Sequence, residues 1–442
     1  MAFTSNNRKS GTIHTVSSAG KEWPETPTCD TGTPHDALQA REARLDGQNC
    51  RPKEFHMNNS PNTFRWLASQ LLWGAMLFSP VAPLNAASLT LSSPMDYQVV
   101  QRSSRAKGSL RIEGDLAETL PNSAVIEARI VADGKSGQWR RLTATFTGAR
   151  FQAMLETPSG GWYRLEVRAS NGDKVIREAI VEHVGVGEVF VVAGQSNSAN
   201  HGEEKQSPRT GLVATLDDTH WRLSADPQPG ASGGSGSFLP PFGDAIAERL
   251  KVPVGFLACG IGATSVREWL PRGAKFPNPP TIQDRVQQLP NGEWESKGQA
   301  FEMFTSRMRQ LGPGGFRAVL WHQGESDANQ QDPTRTLPGK LYRQYLGQLI
   351  RDSCREIGWD APWFVAQVSY HVPGDEASPD IRAAQQSLWT DGIANEGPDT
   401  DLLKGEYRDD NGKGVHFSGK GLREHGARWA EKVAPWIEKR LK

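Results

Sequence analysis

Four short clusters in this chain carry side chains suited to acyl chemistry: Gly194-Gln195-Ser196-Asn197, Gly262-Ala263-Thr264-Ser265, His322-Gln323-Gly324-Glu325-Ser326-Asp327 and Gly414-Val415-His416. Acyl transfer needs a serine held on a tight turn, an imidazole to take its proton, and donors around the developing oxyanion. These types are all present. The first three clusters each follow a short apolar run, VGEVFVVAG, VPVGFLACG and RAVLW, which reads as a buried strand. Their polar residues therefore sit at strand C-terminal ends, where open α/β sheets bind their ligands.

The elements that must position these clusters are legible from Glu188 onward. GDAIAERL, FEMFTSRMRQL and GKLYRQYLGQLIRDSCREIG have helical spacing, APWFVAQVSYH is a further strand, and GKGLREHGARWAEKVAPWIEKRL closes the chain as a helix. Repeated strand, loop and helix units imply a mostly parallel sheet between helices. From about Leu89 to Val184 the grammar is different: short alternating runs, with Asp133-Gly134 and Asn171-Gly172 as hairpin turns, read as a small β-sandwich.

Further upstream, MNNSPNTFRWLASQLLWGAMLFSPVAPLNAAS (residues 57–88) has one charge, Arg65, an apolar run from Trp66 to Phe78 and small residues at Ala86 and Ala87. That is the form of a secretory signal peptide, with an apolar run short for a membrane span. Because such a signal works best at the start of a chain, Met57 is expected to be the physiological start, with the polar residues 1–56 an upstream extension without a core of its own. The expected organisation is 1–56 extension, 57–87 signal, 88–185 β-sandwich and 186–442 catalytic domain, placing the protein outside the cytoplasm, secreted or periplasmic.

Composition narrows the classes. With 50 Lys+Arg against 50 Asp+Glu the formal net charge is +0, so a polycation built for nucleic acid or a strongly anionic membrane is excluded. Four cysteines, of which only Cys259 and Cys354 follow the signal, do not make a disulfide scaffold; two separate buried thiols are expected. The 14 tryptophans allow a sugar-lined cleft, although core packing is the commoner use.

The sequence resembles the SGNH-hydrolase superfamily. Within it, the sialate O-acetylesterase-like and acetylxylan-esterase-like carbohydrate esterases share G-Q-S-N near the domain start and W-x-Q-G-E-S in the middle, here Gly194–Asn197 and Trp321–Ser326, followed by VHFS at Val415–Ser418. The resemblance covers about 186–440. It implies a flavodoxin-like three-layer α/β/α hydrolase domain and a cofactor-independent serine esterase removing small acyl groups, acetyl above all, from carbohydrate hydroxyls. Which acetylated glycan it uses, and its oligomeric state, stay open.

Carried over residue by residue, the resemblance makes Ser196 the nucleophile and His416 the general base. It puts the N–H groups of Ser196 and Gly262 with the Gln323 amide in the oxyanion hole, and gives substrate contacts to Gln195, Asn197, Arg267 and His322. Many relatives carry an aspartate three residues before the histidine; here that position is Lys413, which cannot accept an imidazole N–H. Glu325 is the expected substitute, with Asp409 and Asp410, otherwise turn caps, as runners-up. Lys413 also leaves open an inactive glycan-binding or scaffold protein on the same fold. His201 is either a pocket residue or a solvent-facing one, and Trp269 either touches sugar or packs beneath the loop. His322 and Glu325 alone are too few for a metal site, so no metal is expected.

Overall fold

The run Val189–Ala193 is apolar on both sides of its pleat, as suits a strand covered by helices on both faces. The computed structural model describes residues 89–116 and 124–441, all within one compact unit. In it this run is the C-terminal part of β1 (Lys174–Gly194). Around it lie β2 (Val213–Asp217), β3 (His220–Leu223), β4 (Val254–Ala258), β5 (Ala318–His322), β6 (Trp363–Gln367) and β7 (Asn395–Asp399), in the order β3-β2-β4-β1-β5-β6-β7. Every pairing is parallel except the β2–β3 hairpin.

Helices cover both faces. Phe190 and Val192 of β1 pack with α1 (Leu239–Leu250) and, from the C-terminal end of the chain, the helix Gly419–Arg440. Val189, Val191 and Ala193 pack with α2 (Gln299–Leu311), α3 (Gly339–Ile357) and α4 (Pro379–Thr390). Alternate residues of one strand thus feed opposite layers, as a two-residue pleat requires. Without the β2–β3 hairpin the order is that of a flavodoxin-like sheet, so the protein differs from the simple expectation by extra strands at the edge. The chain reverses its direction of winding beside β1, which places the crevice where ligands bind next to Ser196.

The N-terminal strands do not stand apart from this sheet. Leu89–Ser93, Lys107–Leu116, Arg150–Pro158 and Thr145–Thr147 form an antiparallel sheet, and Val125–Ala132 and Gly160–Asn171 continue onto β1 itself. Leu110, Ile112, Leu155, Leu165, Val167 and Val184 share one apolar cluster between them. β1 is therefore one continuous strand belonging to both regions, and the expected boundary at 185/186 falls inside it.

A buried ion cluster locks that crossing. Glu188 is fully buried; its carboxylate takes Arg102 Nε at 2.7 Å, Arg317 Nε at 2.6 Å and the Gln101 amide at 3.0 Å. Removing the carboxylate strands a nearly buried Arg102, so Glu188→Ala is expected to cost roughly 3–5 kcal/mol of stability. Urea unfolding would measure it, and a loss below about 1 kcal/mol, the range of exposed pairs, would contradict this assignment. The expectations for residues 1–87 lie outside the described residues, and among those described no helix is long and apolar enough to cross a membrane.

Among the described residues the tryptophans are largely core. Trp269, Trp321, Trp363 and Trp429 are all fully buried, the first two edge-to-face with ring centroids 5.2 Å apart. Cys259 and Cys354 are both buried and unpaired.

Candidate active site

Ser196 is set by a glycine that nothing else replaces. Gly194 ends β1 at φ +129°, and a Cβ there would lie 2.1 Å from the His322 carbonyl oxygen on β5. Only glycine tolerates both the torsion and the approach. The chain then hooks: the Gln195 N–H donates to His322 O at 3.0 Å, and Ser196–Ser198 make one 3₁₀ turn, closed by Ser198 Oγ donating to Gln195 O at 2.7 Å. Ser196 keeps 6% of its surface exposed and lines a cavity of about 590 Å³ together with Gln195, Gly262, Glu325 and His416.

His416 meets the carboxylate of Asp409 in a looped-back segment. Its Nδ1 lies 3.5 Å from Asp409 Oδ2, its own N–H donates to Asp409 Oδ1 at 3.1 Å, and the Asp409 N–H donates to His416 O at 3.0 Å. Such catalytic contacts are often long without substrate and tighten when it binds. Asp410 and Asn411, at φ 47° and 55°, followed by Gly412 at φ 85°, turn the chain so that a residue seven positions upstream comes round to the imidazole. Burial alone would raise the Asp409 carboxyl, but the His416 hydrogen bond and charge hold it below the usual carboxylate value. The Val415 carbonyl beside His416 is pinned by Arg408 Nη1 at 2.8 Å and Asn197 Nδ2 at 3.2 Å.

Glu325, expected to support His416, has other neighbours. Its carboxylate accepts from Asn197 Nδ2 at 3.0 Å and faces His322, not His416. Burial pushes its pKa up, with the Asn197 bond opposing. Asp410 is exposed on the turn that follows Asp409.

Three further expected contacts are scaffold instead. Gln323 is buried, with its NH₂ directed to Asp327 Oδ2 (2.7 Å), Thr264 O (3.1 Å) and Gln195 Oε1 (3.3 Å), so no hydrogen is left over for an oxyanion. Arg267, also buried, spreads its guanidinium over Ser265, Asn278 O, Pro279 O, Asp327 and Arg335 O. His322 lies beneath the site with Nε2 2.9 Å from Thr400 Oγ1, and burial, helped by the Arg408 charge, brings its pKa down to about 3. Asp327, the last residue of the third cluster, is the hub: it also accepts from Ser265 Oγ and Val266 N, tying the loop after β4 to the loop after β5. Trp269 packs under that loop, its Nε1 donating to Thr264 Oγ1 at 2.9 Å.

Gly262 does line the cavity, and its N–H donates to Ser232 Oγ at 2.7 Å. Ser232 Oγ in turn lies 3.1 Å from His201 Nε2, and the His201 ring stacks on His416 at 5.5 Å. His201 is thus a pocket residue; burial, then the neighbouring His416, lowers its pKa. Sequence reading passed over Ser232, Arg285 and His371, all in the wall. Their loops carry no motif, and only the fold brings them here.

Residues 186–435 match the model of the family described as carbohydrate esterase, sialic acid-specific acetylesterase, more than half of the chain. The chain belongs to this family. A member of it is a carboxylic ester hydrolase that removes acetyl groups from carbohydrate. The chain is similar in structure to a carbohydrate acetylesterase from Xanthomonas citri, at 18% identity and TM-score 0.47, over 80% of this chain and 76% of that one. It is also similar to a family two carbohydrate esterase from Clostridium thermocellum solved with cellohexaose, at 12% identity and TM-score 0.33, over 79% of this chain and 99% of that one. A Corynascus thermopiles esterase of the same family two with a carbohydrate-binding domain follows at 11% identity and TM-score 0.34, over 79% of this chain and 100% of that one. At TM-scores below 0.5 these likenesses assign nothing in the site. No curated protein matches the chain.

Proposed function

We propose that the protein is an exported O-acetylesterase working through an acetyl-enzyme on Ser196, with His416 as base and Asp409 as its acid. The observation that carries this reading is that the Asp409-backed imidazole and Ser196 line one cavity. Ser196 Oγ attacks the acetyl carbonyl while His416 Nε2 takes its proton, with Asp409 steadying the imidazolium. The tetrahedral intermediate collapses with breakage of the bond to the sugar oxygen, which leaves with the proton from His416. Water then attacks acetyl-Ser196, its proton passing to His416 and on to Ser196 Oγ as acetate departs.

The Ser196 N–H and the Gly262 N–H are the oxyanion donors of this scheme. The substrate oxygen displaces the Ser232 hydroxyl from Gly262, a seat of suitable size and polarity already occupied by oxygen. Export rests on residues 57–87, whose apolar run and small-residue end have the signal-peptide form.

The test is acetate release from acetylated glycans by the full chain, compared with cleavage of aryl esters of increasing acyl length. Acetyl is expected to be preferred over octanoyl by at least tenfold in kcat/KM. A preference for the long chain would overturn the reading.

A further inference from the structure

A second cavity, of about 530 Å³, adjoins the catalytic one, and the two share Gln330 and His371 in their walls. We propose that it is a subsite for the neutral sugar next to the acetylated one, so that the enzyme acts on oligosaccharide in preference to monosaccharide. The proposal rests on the esterase reading of the first cavity.

The ridge between the two compartments is a fixed wall. Gln330 Nε2 donates to Glu325 O at 2.9 Å, its Oε1 accepts from Thr281 Oγ1 at 2.9 Å, and its N–H donates to Thr336 Oγ1 at 2.9 Å. His371 Nδ1 sits 2.6 Å from Asp375 Oδ2. A chain whose acetylated unit reaches Ser196 therefore runs over this ridge, and the next unit enters a preformed compartment, with little ordering cost.

The lining selects the class of that unit. Gln331 presents an amide, while Thr281 and Asn329, whose own hydrogens go to Gln330 Oε1 and to Asp375 Oδ1 and Ala377 O, present acceptor oxygens, groups that sugar hydroxyls match. The charges are mutually satisfied: Arg335 Nε is 3.2 Å from Asp332 Oδ2, and Asp375 faces His371. A sugar carboxylate would meet Asp332 and Asp375 with no cation of its own in this lining, whereas a neutral pyranose meets no such repulsion. Arg285, the guanidinium on the wall of the first cavity, is outside this compartment.

Two substrate pairs test this, each differing only by added neutral sugars: O-acetylated methyl xyloside against acetylated xylotetraose, and free O-acetylated N-acetylneuraminic acid against the same acetylated unit on lactose. At least one pair is expected to favour the longer member at least tenfold in kcat/KM, chiefly through KM. Gln331→Ala and Thr281→Val, each removing one hydrogen-bonding group, are expected to reduce that preference by roughly three- to tenfold each. The ratio is taken against p-nitrophenyl acetate within the same variant, which corrects for any loss of folded enzyme. Equal rates on both members of both pairs, or a preference untouched by both variants, would overturn the subsite. A wild-type protein that cleaves no p-nitrophenyl acetate and no glycan acetate fails the esterase reading instead.

Discussion

Asp409→Asn is expected to lower kcat on a small acetyl ester by roughly 10²- to 10⁴-fold, with KM nearly unchanged, because the imidazole loses both its tautomer and the charge that supports imidazolium. The substitution keeps the side-chain shape and leaves Oδ1 available to the His416 N–H, which it now accepts at 3.1 Å, so the loop is retained. Glu325→Gln is expected to stay within about tenfold of wild type, the size of one weakened hydrogen bond. An amide keeps the oxygen that Asn197 Nδ2 bonds at 3.0 Å, and burial already drives this carboxyl toward its neutral form. Steady-state kinetics on p-nitrophenyl acetate separate the two acids. The opposite order, with Glu325→Gln severe and Asp409→Asn mild, would move the acid back to Glu325.

The contrast between these two acids shows what the sequence could convey. The place of Ser196 was legible, because an apolar run stopping at glycine and followed by polar residues marks a strand end, and Gly194 is required there by the His322 carbonyl. The parallel sheet and its helices were legible from period, and the edge at which the clusters meet followed from that. Asp409 was legible only as a candidate. Its seven-residue distance from His416 is closed by three consecutive residues at positive φ, and DNG announces a turn without saying which side chain the turn delivers.

Gln323, Arg267 and His322 show the converse. A polar residue inside a motif has the same letter whether it touches substrate or holds the loop that does, and only burial tells them apart. All three serve the wall behind the cavity, through Asp327 or through Thr400. Ser232, Arg285 and His371 come from loops with no motif, so their arrival at the pocket is purely a consequence of tertiary packing. The continuity of β1 through both regions was equally hidden, since the change of pattern suggested a boundary at 185/186 while the strand pairs on both sides of it.

The larger effect is expected at Ser196. Ser196→Ala removes the atom that forms the acetyl-enzyme, and in machinery of this kind loss of the serine alone costs about as much as loss of the whole constellation, at least roughly 10⁴-fold in kcat. His416→Ala is expected to match it, and Ser196→Ala/His416→Ala to be little worse than either single change, because the two act as one unit. Thermal unfolding of Ser196→Ala near the wild-type temperature would show that the fold is intact. Additive losses in the double variant would mean that serine and histidine act in separate steps.

The most direct measurement is covalent: the full chain treated with a small fluorophosphonate, digested and mapped by mass spectrometry alongside residual esterase activity. The account predicts one adduct per chain, on Ser196, formed in step with loss of activity and greatly slowed in His416→Ala. An adduct on another serine, Ser232 included, or undiminished acetate release from fully labelled Ser196, would contradict it.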